Sequence, residues 1–134
     1  MSRTDGILVC VVSRAPFELF DAGIKGAEYR RDHEGRDGWA RRLLSTPTLE
    51  SILSQKTRLD EVFCDRKYFM GPEWFHDYHT LRVPLGYQHG RPVIDMPIAG
   101  IDWGMPNPAW TCGIIEPRPC FRIAVDVAKR RRIA

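Results

Sequence analysis

The clearest periodicity in the chain lies near its C-terminus. From Cys120 to Ala128, the residues Phe121, Ile123, Val125 and Val127 alternate with Arg122, Ala124, Asp126 and Ala128. A period of two places the first set on one face of a strand and the second on the other, so the fold must supply an apolar layer to cover one side of a sheet. Further strands are expected over Thr80 to Leu85 and over Pro92 to Trp103, the latter interrupted at Gly100. At the opposite end, Ile7 to Val12 is an unbroken β-favouring run, as expected for a central strand covered on both faces. That run is too short for a membrane span, and Arg3 and Arg14 do not flank it as a secretory signal requires.

Between the terminal strands the period changes. Pro16 suits a first helical turn, Phe17 and Phe20 share a face three residues apart, and Gly23 suits a left-handed cap, which predicts a helix over Pro16 to Ala22. Ile24 to Arg31 then reads as extended, with a bend or bulge near Gly26. Asp37 can cap a turn carrying Trp39 and Leu43, and Thr46-Pro47 opens a helix with Leu49, Ile52 and Leu53 on one face. Pro72, Trp74, Phe75 and Tyr78 suggest one more short helix, within a stretch over 45–79 that reads as an insertion. Strands at the ends with helices grouped between them fit an α+β fold, a small mixed β-barrel with short flanking helices, better than a doubly wound sheet.

Composition narrows the partners. In 134 residues, 20 Lys and Arg stand against 17 Asp and Glu, and 43% of residues are hydrophobic. These proportions describe one folded domain and exclude a disordered chain; no membrane association is expected. Lys129 to Arg132 carry more positive charge than the net +3 of the whole chain. The body over 1–128 is therefore slightly acidic, and 129–134 forms a basic tail. A nucleic-acid partner would be held by local patches and by this tail, unless the tail is simply frayed and solvated. Cys10, Cys64, Cys112 and Cys120 form no CxxC pair, which argues against zinc and against a disulfide scaffold and fits a cytoplasmic setting.

The most informative charges are Lys25, Glu28 and Arg30. On an ideal strand Glu28 and Arg30 share a face, with Ala27 and Tyr29 opposite. Lys25 has the other parity and joins Glu28 only if the turn at Gly23 or a bulge at Gly26 re-aims it. Once converged, Glu28 lowers the cost of holding two cations in a cleft, and Arg30 is a fork for phosphate or a developing oxyanion. Lys25 and Glu28 are the candidate catalytic pair, moving protons if burial shifts their ionisation. The same three charges also fit an ion pair bracing a strand.

Arg30, Arg31, Arg36, Arg41 and Arg42 form a basic stretch interrupted by acids, either a track for a phosphate backbone or a solvated face. Trp39, Tyr87, Trp103 and Trp110 are candidates for stacking on a base. Trp110, in a Pro/Gly-rich loop over Gly104 to Gly113, and Tyr87, beside Gly86 and Gly90, are taken as ligand-binding with Arg30 and Arg91, while Trp39 and Trp103 read as core. His76 and His79 have no evident third partner, so no metal site is expected, and no cofactor can be assigned. Ser13, Thr80 and Thr111 lack the accompanying groups of a nucleophilic triad.

The arrangement Gly23-x-Lys25-x-x-Glu28-x-Arg30, preceded by Phe17 and Phe20, resembles the signature of ASCH domains. The similarity extends to Trp39, to Arg42-Leu43, to Gly86-Tyr87 with Gly90-Arg91-Pro92, and to Ile98 through Gly104; it leaves out about residues 45–79 and the basic tail. The resemblance implies a PUA-like barrel with a cleft beside the first motif, binding RNA or a nucleotide. It also implies hydrolysis of a modified nucleoside or of RNA as an activity of some members. Lys25 matches the motif lysine, whereas Glu28 stands where the N4-acetylcytidine deacylase branch has its catalytic threonine. A different class of function is a non-catalytic protein-interaction module using the aromatic segment 55–79, with Tyr68, Phe69, Trp74, Phe75 and Tyr78 as anchors. Burial of those rings distinguishes the two.

Overall fold

A computed structural model describes residues 6–31, 38–45 and 75–134. Among these described residues six strands and two α-helices make an α+β arrangement, in chain order β1 (Ile7–Val9), α1 (Arg14–Asp21), β2 (Ala27–Arg30), α2 (Gly38–Leu43), β3 (Thr80–Pro84), β4 (Val93–Gly104), β5 (Cys120–Val125) and β6 (Arg131–Arg132). The hydrogen-bonded path runs β1-β3-β4-β5-β2, and β6 joins β4. β4 belongs to two half-sheets: its first residues lie between β3 and β6, its last pair with β5, and the register shifts between Ile98 and Gly100, where the sequence pattern is interrupted. Among the described strands the path is open, with β1 and β2 at its ends and no ladder joining them.

β1 is thus an edge strand, not the central strand its apolar run suggests. It pairs in parallel with β3, and Cys10 and Val12 continue that pairing by donating to the Arg82 and Pro84 carbonyls. Leu8, Cys10 and Val12 are buried while Val9 is exposed, so one face is covered. The backbone carbonyls of Val9 and Val11 accept 2.8 Å hydrogen bonds from the guanidiniums of Arg42 and Arg30.

The core lies between the inner sheet face and the helices. Phe17 and Phe20 of α1, Leu43 and the following Leu44, and Phe75 and Tyr78 pack against Leu81, Val83, Ile94, Met96, Phe121 and Ile123. Phe121 meets Phe75 and Trp103 edge to face. A smaller cluster of Ala27, Tyr29 and Cys120 sits on the other face of β2 and β5, covered by Trp110 and Ile115.

Three further expectations change. Residues 76–79 carry no helix: Phe75 bridges Leu44, and the His76 N–H donates to the Leu43 carbonyl. The final strand stops at Val125, and Val127–Lys129 form a 3-10 turn. The basic tail is part of the sheet, because Arg131 and Arg132 pair with Asp95 and Ile94, and Ile133 donates to the Val93 carbonyl. The helical signals at Asp37, Thr46-Pro47, Leu49, Ile52, Leu53 and Pro72, and most of the segment 45–79, lie outside the described residues.

α1 ends in a Schellman motif. The Ile24 N–H donates to the Leu19 carbonyl at 2.9 Å and the Gly23 N–H to the Phe20 carbonyl at 3.0 Å, with Gly23 at φ +78°. Arg130 completes this end by donating to the Asp21 carbonyl at 2.8 Å, where the helix dipole favours a cation. Gly23→Ala places a Cβ in the left-handed region and against the Arg130 guanidinium. We expect it to lower stability by about 1–2 kcal/mol, as read from urea melts; an unchanged midpoint would show that the turn relaxes freely.

Candidate functional site

The Schellman turn sets the direction of Lys25, whose backbone N–H also reaches the Leu19 carbonyl at 3.1 Å. This re-aiming overcomes the parity mismatch with Glu28. Lys25 Nζ donates to the Trp110 carbonyl at 2.5 Å and lies 3.7 Å from Glu28 Oε1. It also sits 4.7 Å and 5.4 Å from the ring centroids of Tyr29 and Phe20. Glu28 Oε2 accepts from Arg30 Nε at 3.0 Å and Nη2 at 2.6 Å, and Arg30 Nη2 continues to the Val11 carbonyl. The chain Lys25–Glu28–Arg30 therefore converges, with Lys25 and Glu28 only 2% and 6% exposed.

In register, Glu28 lies opposite Ile123 and Arg30 opposite Phe121, so both charges occupy the core-facing side of β2, at the point where the interior opens. Burial pushes the Lys25 ammonium below the usual lysine range, and the Glu28 carboxylate works in the opposite direction. A buried carboxylate between two cations has both oxygens engaged, which makes the chain rigid as well as polar.

A cleft of about 380 Å³ opens beside this chain, and Lys25, Glu28, Arg30, Trp39 and Trp110 line it together with Ser13 and Thr111. Trp110 is placed by its local structure. Asn107 Oδ1 accepts from the Ala109 N–H at the start of the 3-10 turn Pro108–Trp110, and the Asn107 N–H donates to the Tyr29 hydroxyl at 3.0 Å. The indole then lies so close to Gly26 that a Cβ there would meet its ring edge at 3.0 Å. Trp39 faces the guanidiniums of Arg30 and Arg42, at 4.8 Å and 4.1 Å from its ring centroid. Arg31 reaches Glu116 at 3.4 Å across the mouth.

Four of the six expected site residues, Lys25, Glu28, Arg30 and Trp110, thus share one cleft. Tyr87 and Arg91 do not; they line a separate depression on the turn between β3 and β4. Trp39, expected in the core, packs against the core but also forms a cleft wall. Its spacing after Arg30 and before Arg42 was the available signal for that double role. Trp103 is partly buried and packs against the core, edge to face with Phe121. Of the basic stretch, Arg30 donates to the Val11 carbonyl, Arg31 pairs with Glu116 and Arg42 donates to the Val9 carbonyl, while Arg36 lies outside the described residues. In the alternative aromatic segment, Phe75 and Tyr78 are buried, while Tyr68, Phe69 and Trp74 lie outside the described residues. Among the described residues no group of three His, Cys, Asp or Glu side chains is arranged to hold a metal ion, and no helix is long and apolar enough to cross a membrane.

Comparison with family models, with curated proteins and with solved structures finds no match.

Proposed function

We propose that the cleft binds a nucleotide, free or within RNA, with its base against Trp110 and Trp39 and its anionic groups toward Arg30 and Lys25. The observation that carries this reading is the meeting of two indoles with a buried Lys–Glu–Arg chain in one cleft of about 380 Å³. That volume falls in the range of small-ligand sites. Indole faces supply stacking that tolerates any base, and the lining cations outnumber the carboxylates by one. The likeness of Gly23 to Arg30 to the ASCH signature points the same way. Under this reading the open strand path is the frame of a PUA-like barrel, with the Arg30–Val11 hydrogen bond spanning the gap between β2 and the end of β1.

Hydrolysis of a modified nucleoside or of RNA extends the reading. Lys25, with its ammonium destabilised by burial, is the group suited to exchange a proton with a leaving group, and Glu28 holds it in place.

The test is equilibrium titration with nucleoside monophosphates and short single-stranded RNA, followed by indole fluorescence, with mass spectrometry of each mixture for products. Trp110→Ala is expected to weaken binding roughly 5- to 150-fold, the range of one lost base–aromatic stack. Lys25→Ala is expected to abolish any turnover. A folded wild-type protein that binds none of these ligands removes the nucleotide reading and leaves the three charges as a brace for β2.

A further inference from the structure

We propose that the ligand is a single-stranded polynucleotide, not a free nucleotide, and that the depression holding Tyr87 and Arg91 receives the residue next to the one in the Trp110 cleft. This rests on the reading above and specifies its ligand.

The second depression has a volume of about 410 Å³ and is lined by Arg14, Tyr87, Gln88, His89 and Arg91, with no acidic side chain. Tyr87 is 83% exposed. A phenol ring held in solvent contributes nothing to the core, and it offers a face to a flat partner. The turn that presents it is anchored at its base. Leu85 donates to the Pro92 carbonyl at 3.0 Å, Gly86 donates to the Val12 carbonyl at 2.9 Å, and Val12 forms a bridge with Leu85.

The two sites are neighbours through the backbone. Val12 and Ser13 line the first cleft and Arg14 lines the second, so the start of α1 is their shared wall, and adjacent Cα atoms are only about 3.8 Å apart. A strand leaving the first cleft over Ser13 meets Arg14 next. Among the described residues Arg14 makes an exposed 3.8 Å contact with Glu18, an ion pair that exchanges readily for phosphate. One exposed ring with two guanidiniums and no carboxylate is the combination that holds a single strand: the ring for the base face, the cations for the backbone. An acidic peptide would use the cations and leave the ring idle.

The experiment compares UMP, U4, dT4 and an acidic tetrapeptide of equal charge on the wild-type protein, Tyr87→Ala and Arg91→Ala, by fluorescence titration at several salt concentrations. UMP reports the first cleft. We expect U4 to bind the wild type at least tenfold more tightly than UMP, and each variant to lose most of that gain with its UMP affinity within about twofold of wild type. Arg91→Ala should also reduce the salt slope for U4 by about 0.7. Equal gains for U4 and dT4 support recognition of the strand itself, and a larger gain for U4 supports it with the 2′-hydroxyl read in addition. UMP binding with no gain for U4, a gain that survives both substitutions, or a tetrapeptide that matches U4 would overturn the proposal while leaving the nucleotide cleft intact. Absence of binding by both UMP and U4 to folded protein would remove the parent reading, and this one with it.

Discussion

Replacing Glu28 with alanine is expected to destabilise the protein by about 3–5 kcal/mol, because it strands two cations that share one buried carboxylate. Lys25 and Glu28 side chains are 3% and 7% exposed and the Arg30 side chain 22%, so water reaches the cations only from the cleft and replaces the lost anion poorly. A loss of that size lowers the melting temperature by roughly 10–20 °C in a domain of this length. Glu28→Gln keeps the shape and an acceptor but removes the charge, and an intermediate loss is expected. In the double variant Lys25→Met, Glu28→Gln, most of the loss should be recovered, since the pair is then replaced and not broken. Urea melts of the three variants decide the matter. A loss below about 1 kcal/mol for Glu28→Ala would mean that solvent reaches the cations, contrary to the burial described.

A second large effect is expected at alkaline pH. Burial pushes the Cys10 thiol up to about 12 from an ordinary 9.0, with the nearby Glu28 carboxylate adding to the shift, and burial pushes Cys120 up to about 11. Both thiols stay neutral in the fold while the unfolded chain begins to release their protons near 9, so the folded state binds more protons and stability falls as pH rises above 9. The loss attributable to Cys10 approaches roughly 4 kcal/mol by pH 12. Tyr29, raised by burial, acts in the same direction. Lys25 acts in the opposite one. Its folded-state value lies below 10.5, so the unfolded chain binds more protons between the two values and stability gains as pH rises through that window. Cys10→Ala should therefore show a visibly shallower decline between pH 9 and 11 in denaturant melts. Identical slopes for variant and wild type would place the alkaline sensitivity elsewhere.

Much of the strand framework was legible because period two survives wherever one face is buried. Phe121, Ile123 and Val125 do enter the core, and the irregularity at Gly100 falls inside β4 as its position suggested. Phe17 and Phe20 likewise announced the buried side of α1. The convergence of Lys25 with Glu28 was legible as a condition, which the Schellman turn at Gly23 satisfies.

What escaped has a common cause: it depends on contacts between residues remote in the chain. The run from Ile7 to Val12 looks central because Val9 and Val11 are apolar, yet their outer carbonyls are covered by Arg42 and Arg30 in place of a sixth neighbour in the path. The tail reads as solvated charge, but β6 forms through its backbone, and the side chains of Arg130 and Arg132 return to Asp21. Tyr87 and Arg91 share motif-like neighbours with the first site, yet the length of β3 and β4 carries them to a different depression. Trp39 packs against the core as expected and lines the cleft as well, a double role that depends on where β2 and α2 meet.

The two guanidiniums at β1 have a consequence for how copies of this molecule treat one another. An uncovered strand edge is a template on which a second chain can build sheet, the first step toward swapped or fibrous assemblies. Arg42 and Arg30 occupy successive outward carbonyls at Val9 and Val11, the places an incoming strand would need, and the indole of Trp39 lies against both. Colloidal behaviour and the cleft are therefore linked through Arg30: the side chain that offers its charge to a ligand also holds shut one position of intermolecular pairing. A substitution that frees the Val11 carbonyl alters the tendency to aggregate together with the chemistry of the cleft.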